Sequence, residues 1–301
     1  MKKSPAAKSQ ALSPRNNGQA MLETNGSSRA GNLRAGIGLR EPHLRRIMED
    51  KPGIDWLEII ADNIIDADET TLSRLDELRR DYALSLHSVG TSIGSVDPLN
   101  FDYLKSLKRL IDRLDPFSVS EHLCWSGAHG VHLHDLFPLP MTEETVRHVA
   151  GRIERIQDFF GRRILIENVS AYTEFEESEM SEPEFITRIA RTSGSGILLD
   201  VNNIFINSYN FGLDALEYVE NIPGDLVGEI HLGGGEQRDG YILDAHNSRI
   251  WDEVWDLYGR AVSRLGAVPT LIEWDNDIPG LEVLLDEADK ANRIIESICG
   301  T

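Results

Sequence analysis

Between residues 35 and 298, short and nearly continuous apolar runs alternate with longer amphipathic ones. The short runs lie near 35–39, 56–60, 83–87, 118–122, 164–169, 196–201, 227–232 and 269–274. Runs of this length, rich in Val, Ile and Leu, fit strands buried on both faces of a parallel sheet. Between them, apolar residues recur at helical spacing near 41–50, 69–81, 100–114, 142–160, 183–193, 213–220, 248–265 and 280–298. Pro and Gly mark the joins, as at Pro98, Pro138, Gly194, Pro223 and Pro279. Eight strands alternating with eight helices predict a (β/α)8 TIM barrel forming one domain over residues 34–301. An open doubly wound sheet is the alternative reading. Two connections, about 123–141 and 233–247, are long enough to shape a pocket or lid. Residues 1–33 show no hydrophobic period and read as a disordered basic tail.

The polar residues that close the apolar runs change the picture. Six runs end in a metal-type ligand: His87, His122, Glu167, Asp200, His231 and Glu273, with Asp244 and His246 soon after the fifth. A closed barrel brings strand C-termini around one centre, and barrel active sites sit at that end. Four imidazoles and four carboxylates exceed what one ion takes, so a cluster of two or three ions is the economical arrangement. Nitrogen and oxygen donors without sulfur suit iron, manganese or zinc. Asn168, Asn202 and Asn203 stand beside these ligands as weak ligands or as groups that orient a carboxylate. His132 and His134 alternate like strand neighbours and fit loop packing as well as ligation. Cys124 reads as a core thiol.

Composition narrows the class. Two cysteines give no disulfide framework and no thiolate-rich zinc site, which fits a cytoplasmic protein. The net charge is −20, and residues 1–34 carry six Lys/Arg against one acid. The remainder is therefore strongly acidic, which disfavours nucleic acid as a partner. No run reaches membrane-spanning length, and the basic start lacks the apolar stretch of a secretory signal. Serine-hydrolase elbow, Walker loop and dinucleotide fingerprint are all missing from the sequence.

With these residues assembled, the chain resembles the multinuclear non-haem iron-dependent oxidative enzymes, the family of the methanobactin-biosynthesis oxidase. The resemblance rests on GIGLREPH, DWLEII, LHSVGTSIGS, SEHLCWS, DLFPLP, ILIENVSAY, LLDVNN, EIHLGG, DAH, VWDLY and LIEWDNDIP, which run in family order from about 36 to 290. It implies a xylose-isomerase-like TIM barrel holding two or three iron ions in mixed Fe(II)/Fe(III) states, with O2 as co-substrate. It implies oxidative remodelling of a ribosomally made precursor peptide, typically at Cys, with a leader-binding partner protein. The family's metal ligands fall on His87, His122, Glu167, Asp200, His231, Asp244, His246 and Glu273. Asp200, His231 and Glu273 are the expected centre of catalysis, and His43, His134 and Gly234 are candidates for the substrate pocket. The family often has Ala-Gly-His where this chain has Gly233–Gly234–Gly235, a change that bears on substrate rather than on the metal cage. Two other readings remain open. One is a zinc or manganese hydrolase or isomerase of the same barrel group. The other is a non-catalytic barrel that holds a peptide at its rim.

Overall fold

The computed structural model describes residues 33–300. Eight parallel strands close into a barrel: β1 (Ala35–Gly38), β2 (Trp56–Ile60), β3 (Ala83–Ser88), β4 (Ser118–His122), β7 (Leu165–Glu167), β8 (Gly196–Asp200), β9 (Val227–Leu232) and β12 (Thr270–Ile272). Around the ring they follow chain order, and β1 closes on β12 through Ala35↔Thr270 and Ile37↔Ile272. Both faces of these strands are covered, which is why their sequences read as unbroken apolar runs. Ile37, Leu57, Leu86, Ile166, Ile197, Ile230 and Leu271 are all fully buried.

The outer helices are α1 (Glu41–Asp50), α2 (Glu69–Asp81), α3 (Phe101–Leu114), α4 (Glu143–Phe160), α5 (Glu182–Ser193), α6 (Val201–Phe211), α7 (Ala215–Asn221), α8 (Asp252–Leu265) and α9 (Leu281–Cys299). Local signals set their ends. Asp68, Asn100 and Thr142 accept N-terminal N–H bonds, and Pro42 and Pro183 open α1 and α5. Gly161 ends α4 in the left-handed conformation that favours glycine.

Three features depart from the sequence expectation. The run at 196–201 stops as a strand at Asp200, and α6 begins at the next residue with no intervening loop. The two long connections each contain a hairpin, β5 (Trp125–Ala128) with β6 (Val131–Phe137), and β10 (Glu236–Gln237) with β11 (Ile242–Leu243). The basic tail falls, except for Leu33, outside the described residues. No described helix is long and apolar enough to cross a membrane.

Candidate metal centre

Parallel strands carry their last residues to one end of the barrel, and register decides which side chains meet there. His87, next to last in β3, pairs with Ser120, while His122 pairs with Glu167 on β7 and Asp200 with His231 on β9. His87 Nε2 and His122 Nε2 lie 3.2 Å apart, and Glu167 Oε2 lies 3.2 and 3.3 Å from them. The backbone carbonyl of Ser88, 3.3 Å from His122 Nδ1, can only accept, so that nitrogen carries the proton and Nε2 faces the group. His87 Nδ1 is 2.7 Å from Ser120 Oγ. Three donor atoms thus converge, and Glu167 Oε2 is buried with no hydrogen-bond partner.

A second group adjoins the first and shares Glu167 with it. His231 Nδ1 is 3.4 Å from Glu167 Oε1 and 3.2 Å from Glu273 Oε2. Asp200 completes this group. Its Oδ1 caps α6 by accepting from Asn203 N at 2.6 Å, and its Oδ2 is buried without a partner. Glu273 leads to a third group. His246 Nδ1 lies 3.7 Å from Glu273 Oε1 and 3.4 Å from Asp275 Oδ2. Asp244 stands on the far side of that ring, with Oδ1 2.8 Å from His246 Nε2. His246 takes a left-handed backbone conformation, φ 44°, and its carbonyl accepts from Asp275 N at 2.8 Å. Gly233 leaves room for the ring, since a Cβ there would come within 2.7 Å of His246 Cδ2.

The asparagines hold this frame. Asn168 clamps the backbone of Asp200, donating to its carbonyl and accepting from its N–H, both at 2.9 Å. Asn202 donates to Asp244 Oδ1 at 3.0 Å, and Ser170 Oγ donates to Oδ2 at 3.2 Å. Asn203 donates to Asn168 O at 3.1 Å and keeps a buried Oδ1 without a partner.

Three acidic residues here were not among the sequence candidates. Glu58 on β2 and Glu229 on β9 are fully buried and lie 3.2 and 3.4 Å from His231 Nε2. Both Glu229 oxygens and Glu58 Oε1 lack hydrogen-bond partners. Asp275 accepts from Arg40 Nε at 2.9 Å. A strand places residues i and i+2 on one face, so Glu229 beside His231 carries a sequence signal, whereas Asp275 lies past the end of β12. Glu58 is a lone carboxylate inside an apolar run.

Of the eight candidate ligands, seven fall into the three adjoining groups and Asp244 backs His246. The pocket candidates are placed differently. His43 is buried with Nε2 2.8 Å from Pro279 O. Gly234 packs on Ser248, whose carbonyl would lie 2.2 Å from a Cβ there. His134 lies on β6, and its side chain is outside what the structure describes. A cavity of about 250 Å³ opens onto the groups and is lined by His87, His122, Glu167, Asn203, Asp244, His246, Glu273 and Asp275, with Ile60, Val89, Leu136 and Val169.

Electrostatics show how such a cluster could hold cations. Burial pushes the His87 imidazole down to about 3, so it stays neutral. Burial also acts against protonated His122, yet the Glu167 and Glu121 carboxylates hold it up at about 9. Burial and the neighbouring Glu167 raise the Asp200 carboxyl well above its usual range. Burial takes Glu58 up to about 7 against the pull of His231. Without bound cations, the cluster must take up protons to limit like-charge repulsion. The nitrogen and oxygen donor set and the unpartnered buried oxygens fit divalent or trivalent ions.

The comparisons agree with this geometry. A family model described as RiPP precursor modification enzyme MbnB/TglH/ChrH matches residues 34–296. A UPF0276 protein of Acaryochloris marina is 45% identical over 258 residues, spanning 86% of this chain and 93% of that protein. One from an Anaeromyxobacter species is 43% identical over 259 residues, spanning 86% and 92%. Among solved structures, a D-psicose 3-epimerase studied with D-fructose superposes with a TM-score of 0.60 at 13% identity, covering 89% of this chain and 100% of that one. The D-psicose 3-epimerase of Clostridium cellulolyticum H10 gives 0.57 at 12% identity, covering 89% and 99%. At such identities the likeness speaks to the fold alone, a closed barrel of eight parallel strands with outer helices. By the family match and these relatives, the chain belongs to the RiPP precursor modification enzymes of the MbnB/TglH/ChrH family.

Proposed function

We propose that this chain is an O2-dependent, multinuclear iron oxidase that modifies a ribosomally synthesised peptide at Cys, presented by a leader-binding partner protein. The observation that carries this reading is the chain of three adjoining donor groups, linked through Glu167 and Glu273, with buried oxygens left unpartnered. His87, His122 and Glu167 would hold one ion, and Glu167, Asp200, His231 and Glu273 a second. His246, Glu273 and Asp275 would hold a third where one is bound. Iron in such a set supplies O2 binding and electron transfer.

The protein's own part is orientation and exclusion of water. Asn168 fixes the backbone of Asp200, and the α6 N-terminus fixes its carboxylate through Asn203 N. Ser88 and Ser120 set the faces that His122 and His87 present. Asp244, at the cavity wall beside His246, is a group able to take or return a proton beside a bound residue. The cavity at about 250 Å³ takes one amino-acid side chain with its flanking backbone rather than a folded partner.

Metal analysis with Mössbauer spectroscopy tests the reading, on protein made with iron-57 and handled without oxygen. Two or three coupled irons per chain are expected. Full zinc occupancy, with no iron uptake and no O2 consumption after reconstitution, would instead point to hydrolase or isomerase chemistry.

A further inference from the structure

A second cavity, of about 310 Å³, lies beside the candidate metal centre. The backbone at 169–171 separates the two: Val169 and Ser170 line the first, Ala171 the second. Asn207 pins this partition, accepting from Ala171 N at 2.8 Å and donating to Val169 O at 3.0 Å. The β6 exit forms a matching partition, with Leu136 on one side and Leu139 on the other.

The walls of the second cavity include the apolar Met141, Phe175 and Met180, and its charged groups are of one sign. Glu174, Glu182, Asp214 and Glu217 line it, no Lys or Arg does, and none of the four makes an ion pair among the described residues. Tyr218 is 7% exposed and its hydroxyl, at the wall, has no hydrogen-bond partner. Glu182 has only a long bond from Asn207 Nδ2, at 3.5 Å. A cavity with apolar walls whose charged groups are all carboxylates complements an aliphatic stem bearing a cation.

We propose that this cavity is a binding site for a Lys or Arg side chain of the peptide being modified, seated while a neighbouring residue occupies the metal-side cavity. The assignment rests on the peptide-modifying reading above. Glu182 and Tyr218 receive the cationic head, the two methionines and Phe175 pack on the stem, and Glu174, Asp214 and Glu217 draw the charge in. Side chains two apart in an extended peptide point to the same side, which suits two adjoining cavities divided by one stretch of backbone.

The test uses the full chain and four small probes of similar size: butylguanidinium, butylammonium, pentanol and butyrate. Ligand-observed NMR titration reads their affinities. The two cations should bind saturably and at least about tenfold more tightly than pentanol or butyrate, as expected for a charge-assisted contact. Glu182→Gln and Tyr218→Phe should each weaken the cations while pentanol is unchanged, with circular dichroism confirming that both variants fold. Met180→Trp, which fills the cavity, should abolish binding of all four. Equal affinity for pentanol and the cations, or cation binding indifferent to Glu182→Gln, overturns the proposal. The same titration, run beside the metal analysis of the unsubstituted chain, separates it from the reading beneath it. Cation binding that persists in a chain that takes up no iron and consumes no O2 keeps the cavity and sinks the oxidase. Modification of peptides with and without Lys or Arg at equal rates does the reverse.

Discussion

The two ends of the barrel solve opposite electrostatic problems. At the N-terminal end, arginines meet backbone carbonyls left over where helices stop. Arg264 donates to Val219 O and Ile222 O at 3.0 and 2.7 Å, Arg162 to Pro116 O and Phe117 O at 3.0 and 3.3 Å, and Arg79 to Arg113 O at 2.8 Å. These bonds complete the ends of outer helices, where a helix has orphan acceptors. At the C-terminal end the acceptors are carboxylates. Glu58, Glu167, Asp200, Glu229, Asp244, Glu273 and Asp275 crowd together, and Arg40, bonded to Asp275, is the guanidinium that joins them. The base is built to be satisfied by the chain itself. The top is built with negative charge that the chain balances only in part, through Arg40 and imidazoles that the carboxylates hold protonated. Buried polar groups left in that state cost stability, so their retention marks the end selected for chemistry rather than for folding.

The sharpest way to break this contrast is to remove the carboxylate shared by two groups. Glu167→Gln should lose bound metal and lower peptide modification by more than ~100-fold, beyond the 10–100-fold typical of losing a group that only supports a ligand. Metal content per chain and turnover read it. Full metal occupancy and activity would remove Glu167 from the centre. Next in size are the carboxylates beneath His231. A metal-binding imidazole normally gives its second N–H to a carboxylate, and Glu58 and Glu229 face Nε2 while Nδ1 faces Glu167 and Glu273. Glu58→Gln and Glu229→Gln should therefore each weaken metal binding by about 10–100-fold while the barrel stays folded. An unchanged affinity would reduce the pair to buried filler.

How far each end could be read from the sequence follows from the same contrast. The barrel was legible because strands covered on both faces leave continuous apolar runs, and because Pro, Gly and N-capping residues mark the helix ends. The helix α6 was not. LLDVNN reads as a strand running out into a loop, but Asp200 caps a helix at once, so the ligand strand and the helix share a residue. The hairpins in the two long connections also escaped, being short and weakly patterned. At the site, residues ending a strand were visible as polar punctuation after apolar runs. Glu58 was hidden because Ile59 and Ile60 follow it, so the apolar run swallows it. Glu229 was within reach of the period-two rule applied to His231, while Asp275 lies past the strand end, where that rule does not run.

A base substitution is the converse of the Glu167 test. Arg264→Ala strands two carbonyls at the C-terminal side of α7. It should cost about 1–3 kcal/mol, read as a lower Tm, with metal content per chain unchanged. A loss of metal in step with the lost stability would mean that the two ends are not separable.

The smallest effect lies in the second cavity and depends on pH. Burial lifts the Glu182 carboxyl from about 4.5 to about 7, against the bond from Asn207, and the facing Tyr218 is raised in turn by burial and by Glu182. Because the folded value lies above the unfolded one, the folded chain holds this proton over a window in which the unfolded chain has released it. Below about pH 4.5 both states are protonated and Glu182 costs nothing. As pH rises from about 4.5 to 7 the folded state is progressively disfavoured, and above 7 the penalty is constant. Glu182→Gln removes the titration, so the wild-type protein should lose stability relative to the variant between about pH 5 and 8. Urea midpoints on metal-saturated protein at both pH values measure it, which holds the centre constant while the cavity titrates. Parallel midpoints for the two proteins would place Glu182 in water and take away the desolvated carboxylate on which a cationic side chain could close.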